Sequence, residues 1–388
     1  MHRILAALLF IVVPAAAESV VVLPFVNLTK NLTLNWLGES VADSIQEALH
    51  GEGLLALDRD TRQEAYRRLN VRPYVQISKA TMVKIGDELD ARSLVFGSFE
   101  LEEKPAGQRP GVKLVARMID IRGRKQSTEF SETGALDDLA TLEMNLAWQA
   151  LKFLSPKTTV SQSQFLDRHP RARVDAKENY IRGLLSNNPE QKHHLLTQAA
   201  RLDPNYSQPC FQLGLLQYEK ENYRVAADWF ARVKATDPRY RRAQFMLGLS
   251  HYWSANYQGA LKSFSLVVLE VPVNEVVCNL GLAQMRTNNP ESIENLKRAV
   301  QADDADLDYH FNLGYALWRK GDFKAAADQF RAVLDRFSDD QEAQMLLARS
   351  EKQQGQRPGD ASTEGLERLK EEYEETVYWQ LKAMVEKK

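Results

Sequence analysis

The spacing of apolar positions changes about two-fifths of the way along the chain. Up to about residue 156, β-branched apolar runs such as residues 19–26 (SVVVLPFV) alternate with segments whose apolar residues recur every three or four positions. Runs of the first kind predict strands, and the second spacing predicts amphipathic helices. Beyond residue 174 only the helical spacing continues. The pattern therefore predicts a mixed domain followed by an all-helical one.

The first domain, residues 18–156, is predicted to alternate strands and helices. Predicted strands cover residues 19–26, 54–57, 93–101, 112–121 and 126–132, and predicted helices cover residues 34–51, 80–89 and 139–154. The order is strand, helix, strand, helix, three strands and a closing helix. Such an order is typical of a layered α/β domain.

Short motifs in this domain resemble the N-terminal domain of TolB and its curli-assembly and flagellar outer-membrane relatives. The motifs are residues 20–25 (VVVLPF) with Asn27, residues 37–42 (LGESVA), residues 85–91 (IGDELDA) followed by 95–99 (VFGSF), and residues 114–121 (LVARMIDI). The resemblance implies a cell-envelope interaction module. It brings no catalytic residues with it.

The helical part carries an internal repeat. Glycines recur at Gly183, Gly214, Gly248, Gly281 and Gly314, with spacings of 31, 34, 33 and 33 residues. A full unit has Leu-Gly, an Ala twelve residues on, a Phe four residues later and then Pro, as in Leu213-Gly214, Ala226, Phe230 and Pro238. This pattern is similar to the tetratricopeptide repeat (TPR), in which pairs of antiparallel helices stack into a solenoid.

The repeat pattern sets the predicted boundaries of the second part. We expect a linker at 157–173, about five TPR units at 174–338, and a capping helix at 339–354. Residues 355–365 (GQRPGDASTEG) read as a second linker by composition. Residues 366–388 are predicted to form an amphipathic helix with Leu369, Tyr373, Val377 and Leu381 on one stripe. That helix would either pack back on the repeats, which a lone apolar stripe favours, or bind a partner.

Repeat solenoids bind ligands on the concave face, which the first helix of each unit lines. Side chains at equivalent positions of those helices form an unusually aromatic stripe with neighbouring arginines, the composition of interface hot spots. The predicted groove residues are Phe211, Tyr218, Arg242, Phe245, Tyr252, Trp253, Arg286, Phe311, Tyr315, Trp318 and Arg319. The three phenylalanines fit the core of each repeat equally well. Tyr252, Trp253 and Trp318 are predicted to be the exposed contacts.

The N-terminus has the three parts of a secretory signal peptide. His2 and Arg3 precede a ten-residue apolar run at 4–13, and Ala15-Ala16-Ala17 offers a small-residue cleavage site. The run is too short for a spanning helix, which needs about 20 residues. We expect cleavage after Ala17 and a periplasmic or secreted protein. Retention of the run as an interfacial anchor is the alternative.

Composition removes several function classes. The 50 basic and 52 acidic residues give a net charge of −2, which removes any global electrostatic argument for nucleic-acid binding. Cys210 and Cys278 lie on equivalent helices two repeats apart, so we predict that both are buried and reduced. None of the common metal-binding, nucleophile or phosphate-loop motifs occurs. No metal, cofactor or catalytic residue is predicted.

These observations favour an exported, non-enzymatic protein–protein interaction scaffold of the bacterial cell envelope. Its partner would be a protein or peptide bound in the aromatic groove. The same groove could instead stack on a glycan or a hydrophobic small ligand, and the residues do not decide between the two. A third reading, an enzyme with its site in the first domain, requires a deep pocket with convergent polar groups there.

Overall fold

The computed structural model describes residues 19–29, 31–72, 75–102, 111–123, 125–169, 171–357 and 359–386. The chain divides into two compact units, Met1–Asp167 and Arg168–Lys388. The predicted signal peptide at 1–17 lies outside the described residues. Among those residues, no helix combines the length and the apolar character needed to cross a membrane.

The described part of the first unit is built on one mixed sheet. Its strands are β1 (Ser19–Val22), β2 (Val26–Asn27), β3 (Leu55–Leu57), β4 (Ser93–Glu102), β5 (Gly111–Asp120), β6 (Lys125–Gln126) and β7 (Phe130–Ala135). Strand β1 runs parallel between β3 and β4, and β2 also pairs with β4 in parallel. Strand β5 is antiparallel to β4, β6 and β7.

The strand predicted over residues 19–26 is broken into β1 and β2. Pro24 lies in the break, where its missing N–H removes a ladder hydrogen bond. Gly97, in the middle of β4, lies against this break. A Cβ there would lie 2.1 Å from the Val115 carbonyl oxygen and 2.4 Å from the Phe25 ring. The strand glycine therefore permits close packing, as its position in the sequence indicates.

Five helices belong to this part of the chain. They are α1 (Asn35–Gly51), α2 (Arg59–Arg68), α3 (Lys79–Glu88), α4 (Leu139–Leu154) and α5 (Gln162–Arg168). The residue pattern did not predict α2, although Asp58 caps its start by accepting a hydrogen bond from the Thr61 N–H. Helix α5 falls inside the predicted linker 157–173. It is held because Phe165 is buried and packs on Trp148 of α4 at 5.7 Å between ring centroids.

Helices α1 and α4 also carry buried polar groups that the apolar pattern does not predict. The Glu143 carboxylate is fully buried and accepts hydrogen bonds from Ser40 Oγ at 2.6 Å and Ser44 Oγ at 2.7 Å. Glu39 is buried against Arg62 of α2. Buried charges are tolerated where hydrogen bonds and opposite charges satisfy them, so these partners allow the charged groups to lie inside the packed helices.

The second unit consists of helix pairs. The pairs are α6 (Val174–Leu185) with α7 (Pro189–Leu202), α8 (Gln208–Tyr218) with α9 (Tyr223–Phe230), α10 (Tyr240–Trp253) with α11 (Tyr257–Glu270), α12 (Asn274–Arg286) with α13 (Ser292–Ala302), and α14 (Leu307–Lys320) with α15 (Phe323–Arg336). Helix α16 (Gln341–Glu351) follows the last pair and packs on α15. One continuous apolar core runs through α8 to α16.

The glycine and phenylalanine of each repeat pack directly against each other. A Cβ on Gly214 or Gly248 would lie 2.6 Å from the ring of Phe230 or Phe264. A Cβ on Gly281 would meet Leu296, which takes the Phe position in its repeat, at 2.9 Å. The sixteen-residue Gly–Phe spacing is therefore a packing requirement, because only a helix face without a side chain admits the ring.

The C-terminal region differs from its prediction. Residues 366–388 were expected to form one helix, but α17 begins only at Glu375 and spans Glu375–Glu386, while residues 366–374 are not helical. The predicted apolar stripe is accordingly divided. Leu369 and Tyr373 pack against the repeat core, whereas Val377 and Leu381 are exposed. Hydrogen bonds from Asn279 and Asn312 of the repeats to the backbone of residues 368 and 370 compete with the helix in the first half.

Candidate functional site

The first helices of four pairs, α8, α10, α12 and α14, form one face of the array, here called the groove. Phe211, Phe245 and Phe311 lie at equivalent positions along it and are almost fully buried. Each ring packs edge-on against the phenylalanine of its own pair, with 5.8 Å between centroids in all three cases. The three phenylalanines are therefore repeat core that also forms the floor of the groove.

The groove is occupied by the chain itself. Residues 363–373, here called the resident segment, lie along it in the direction opposite to the order of the repeats. Arg368 contacts α14, Lys370 contacts α12, and the Tyr373 ring packs on Phe245 of α10 with 4.8 Å between centroids. A segment predicted to be helical is thus bound as an extended peptide.

Two asparagines hold the backbone of the resident segment. Asn312 Nδ2 donates to the Arg368 carbonyl at 2.7 Å, and its Oδ1 accepts from the Arg368 N–H at 2.9 Å. Asn279 does the same to Lys370, at 2.7 and 2.9 Å. Both asparagines are fully buried and come from adjacent repeats. Alternate residues of an extended chain point the same way. Asparagines of two successive repeats can therefore bind two residues of the segment that lie two positions apart.

Next to the Asn312 clamp, the groove receives a carboxylate. Glu367 is buried, with its Oε1 2.5 Å from Arg286 Nε and its Oε2 accepting from Arg286 Nη2 at 2.7 Å. Arg319 Nη1 lies 3.8 Å from the same carboxylate. Burial lowers the pKa of Arg286, but the hydrogen bond to Glu367 and the negative charge of that carboxylate raise it above the usual value overall. This slot selects an acidic side chain by two-point geometry and charge.

The neighbouring slots receive basic side chains. The Arg368 guanidinium lies 3.7 Å from the Phe311 ring centroid and pairs with Asp340 at 2.8 Å. Lys370 Nζ contacts Asp306 at 2.7 Å and Asp308 at 2.8 Å. Burial alone would lower the pKa of Lys370, yet the two carboxylates raise it. The groove therefore binds an extended peptide with an acidic side chain at one position and basic side chains one and three positions later.

The loop that returns the chain to the groove is also held in place. Trp318 Nε1 donates to the Gln354 carbonyl and Tyr315 Oη donates to the Thr363 carbonyl, at 2.8 and 2.7 Å. Arg349 pairs with Asp360 at 2.7 Å. Asp360 and Thr363 of the predicted linker 355–365 are thus bound to the repeat helices. The expectation of an exposed Trp318 is wrong, because its side chain is only 1% exposed.

The other end of the groove, around α8 and α10, is more open. Trp253 is 39% exposed and its Nε1 donates to Tyr218 Oη at 3.2 Å. Its ring lies 6.2 Å from that of Tyr223 and 5.9 Å from that of Tyr252. Tyr252 itself is buried, so it was wrongly expected to be exposed. We call Tyr218, Tyr223, Tyr252 and Trp253 the aromatic end.

Several groove residues were not predicted from the sequence. The predicted Arg242 is exposed, whereas its neighbour Arg241 pairs with Glu375 of α17 and lies over the Trp379 ring. Asn279 and Asn312 were also overlooked. A polar residue two positions before the repeat glycine in two successive units was the available signal, because that position lies on the groove face.

The two cysteines have no disulfide partner. Cys210 and Cys278 are both buried and unpaired, which confirms that prediction, and burial raises the pKa of Cys278 to about 12. Among the described residues no group of His, Cys, Asp and Glu side chains is arranged to hold a metal ion. A pocket in the first unit has mainly apolar walls, with Tyr66 and Arg72 as polar members.

Comparison with known proteins bears on the second unit. The tetratricopeptide repeat family matches residues 211–272, 279–341 and 313–361. A solved structure of MamA (residues 41 to the end) from Desulfovibrio magneticus RS-1 is 28% identical over 43% of this chain and 97% of its own, with a TM-score of 0.38. YrrB, described as a TPR protein with an unusual peptide-binding site, is 21% identical over 46% and 92%, with a TM-score of 0.41.

A third solved structure, PilF from Pseudomonas aeruginosa, is 17% identical over 46% of this chain and 83% of its own, with a TM-score of 0.37. No curated protein matches the chain. The family matches all fall within the second unit, so the resemblance of the first unit to TolB stays a prediction. The repeated Leu-Gly, Ala and Phe positions, their packing and the family matches together show tetratricopeptide repeats within residues 211–361 of the second unit.

Proposed function

We propose that this protein is an exported, non-enzymatic scaffold of the bacterial cell envelope that binds a protein partner through its TPR groove. One observation carries the proposal: the groove holds an extended peptide by paired hydrogen bonds to its backbone. Backbone clamps of this kind bind peptides in general, while the slots beside them give specificity. The first unit, through its resemblance to TolB, would engage a second envelope component.

Export is supported by the signal-like N-terminus. If it is processed as expected, the mature chain begins at Glu18. Intact-mass measurement of protein recovered from the periplasmic fraction or medium tests this directly. Recovery of the full-length chain in the cytoplasm would contradict export while leaving the groove proposal intact.

The scaffold role is tested by site-specific photocrosslinking in envelope fractions. A photoreactive phenylalanine at Trp253 samples the open end of the groove. A matched probe at Leu269, which is 82% exposed on α11, samples the second helix of the same pair. We expect a protein adduct from position 253 and none from position 269. Equal adducts from both positions, or none from either, would count against partner binding in the groove.

The alternative ligand, a glycan or hydrophobic small molecule, is favoured by the exposed ring of Trp253 and its three tyrosine neighbours. Such ring clusters can stack on the apolar faces of sugars. The same experiment separates the two proposals. Retention of the chain on immobilised envelope glycan, abolished by Trp253→Ala, together with no protein adduct at position 253, would favour the glycan.

A further inference from the structure

We infer that the resident segment is a built-in competitor that closes the groove, and that the partner is an extended peptide with the same acid–base pattern, Leu-Glu-Arg-Leu-Lys. The inference rests on the proposed function, and it names the ligand chemistry and the regulation of the same groove. It comes from the slots described above, which are already filled in the isolated chain.

The specificity follows from how each side chain is bound. The acidic position is set by Arg286 and Arg319, which meet one buried carboxylate. The basic position three residues later is set by Asp306 and Asp308, both within 2.8 Å of one amine. A peptide with these charges exchanged would place like charges together in both slots, which is strongly unfavourable in a partly buried site.

The occupancy is intramolecular in the structure. The return loop is fixed by Trp318, Tyr315 and Arg349, so the segment enters the groove of its own chain directly after the last repeat helix. A short tether gives an effective concentration in the millimolar range. With an intrinsic dissociation constant on the order of 10 μM, an external peptide would then bind roughly 100-fold more weakly. Only a partner whose affinity for the groove is high enough to displace the resident segment therefore binds.

The test uses the full chain and a fluorescent synthetic peptide of residues 363–374 (TEGLERLKEEYE). In one variant, Glu367→Arg with Lys370→Glu, only the resident segment is altered and the groove is intact. In the control, Glu294→Arg with Lys297→Glu, the same two exchanges are made at exposed positions of α13, outside the resident segment. Fluorescence anisotropy measures the affinity of the peptide for each chain, and circular dichroism verifies that each is helical.

We expect the charge-exchanged variant to bind the peptide about 100-fold more tightly than the wild type. The control should match the wild type, and a peptide carrying the same two exchanges should bind neither chain. A milder variant, Lys370→Met, should give an intermediate gain and serves if the double variant fails to fold. Equal affinities for the wild type and both segment variants would overturn the inference, as would absence of binding to a folded variant.

Two further outcomes are separable. A wild-type dimer by light scattering that becomes monomeric in the charge-exchanged variant would show exchange of segments between copies and would overturn occupancy within one chain. Failure to find an envelope partner does not affect the peptide measurement, because the peptide is synthetic. Conversely, equal peptide affinities would leave partner crosslinking at position 253 untouched.

Discussion

The two ends of the groove use different chemistry. At the α12–α14 end, buried asparagines and ion pairs hold the backbone and charges of the resident segment. At the α8–α10 end, the rings of Tyr223 and Tyr252 pack against Trp253, which remains partly exposed. Directional hydrogen bonds and charges specify one sequence, whereas rings tolerate many shapes. The difference suggests that one end selects the bound peptide and the other adds contact area.

The largest expected effect comes from removing both backbone clamps. Asn279→Ala with Asn312→Ala deletes four hydrogen bonds to the segment, at about 1 kcal/mol each. The docking equilibrium should fall roughly 10³-fold. Trypsin, which cuts after Arg368 and Lys370, should cleave the native chain correspondingly faster.

The matched control for the clamps is Gln212→Ala. Gln212 occupies the same position of its repeat, two residues before Gly214, at the other end of the groove. Its loss should leave the cleavage rate at Arg368 and Lys370 near that of the wild type. Equal protection in the asparagine variant and the control would show that the clamps do not hold the segment.

The acidic slot should give the next largest effect. Glu367→Gln removes the negative charge that pairs with Arg286 and leaves at most a neutral acceptor, a loss of about 2 kcal/mol. Arg286→Gln should weaken docking by a similar amount, and the double variant should add little to either. The trypsin cleavage rate at Lys370 measures all three. Additive losses would mean that the two residues act independently, contrary to the paired geometry.

A smaller effect is expected at alkaline pH. The pKa of Lys370 in the docked segment lies above its ordinary value of 10.5. Its contribution to docking is therefore complete below pH 10.5 and is lost as the pH rises through the higher docked pKa. The indole N–H of Trp318 donates to the Gln354 carbonyl of the return loop, so its resonance reports on docking. It should stay unchanged from pH 7 to about 9.5 and shift in one step at higher pH, as Lys370 loses its proton. Lys370→Met should lack the alkaline step, and an unchanged step in that variant would assign it to another group.

The smallest effect on docking is predicted at the aromatic end. The ring and hydrogen-bond contacts of Trp253 are to Tyr218, Tyr223 and Tyr252, not to the resident segment. Trp253→Ala should therefore change trypsin cleavage at Lys370 less than about twofold, as surface substitutions usually shift stability by under 0.5 kcal/mol. Partner capture should nevertheless fall. A large gain in cleavage would show that both ends hold the segment together.

The sequence alone determined the repeat architecture. Gly214, Gly248 and Gly314 face the rings of Phe230, Phe264 and Phe330, and that local packing rule is visible as a fixed spacing. Most strands of the first unit were also predictable, since each follows from a short apolar run. Helix α2 was missed because its face is largely polar, with a buried Arg62.

Only the tertiary structure decided what fills the groove. The periodicity of residues 366–388 fits a helix. Asn279 instead binds the backbone of Lys370, 91 residues away, and Asn312 binds that of Arg368, 56 residues away. A helix uses those same N–H and C=O groups internally, so the two states exclude each other. Local spacing encodes helical propensity, but hydrogen bonds and ion pairs from distant repeats override it. The sequence therefore identified a repeat array with a groove, and the fold showed that the groove holds residues 363–373 of its own chain.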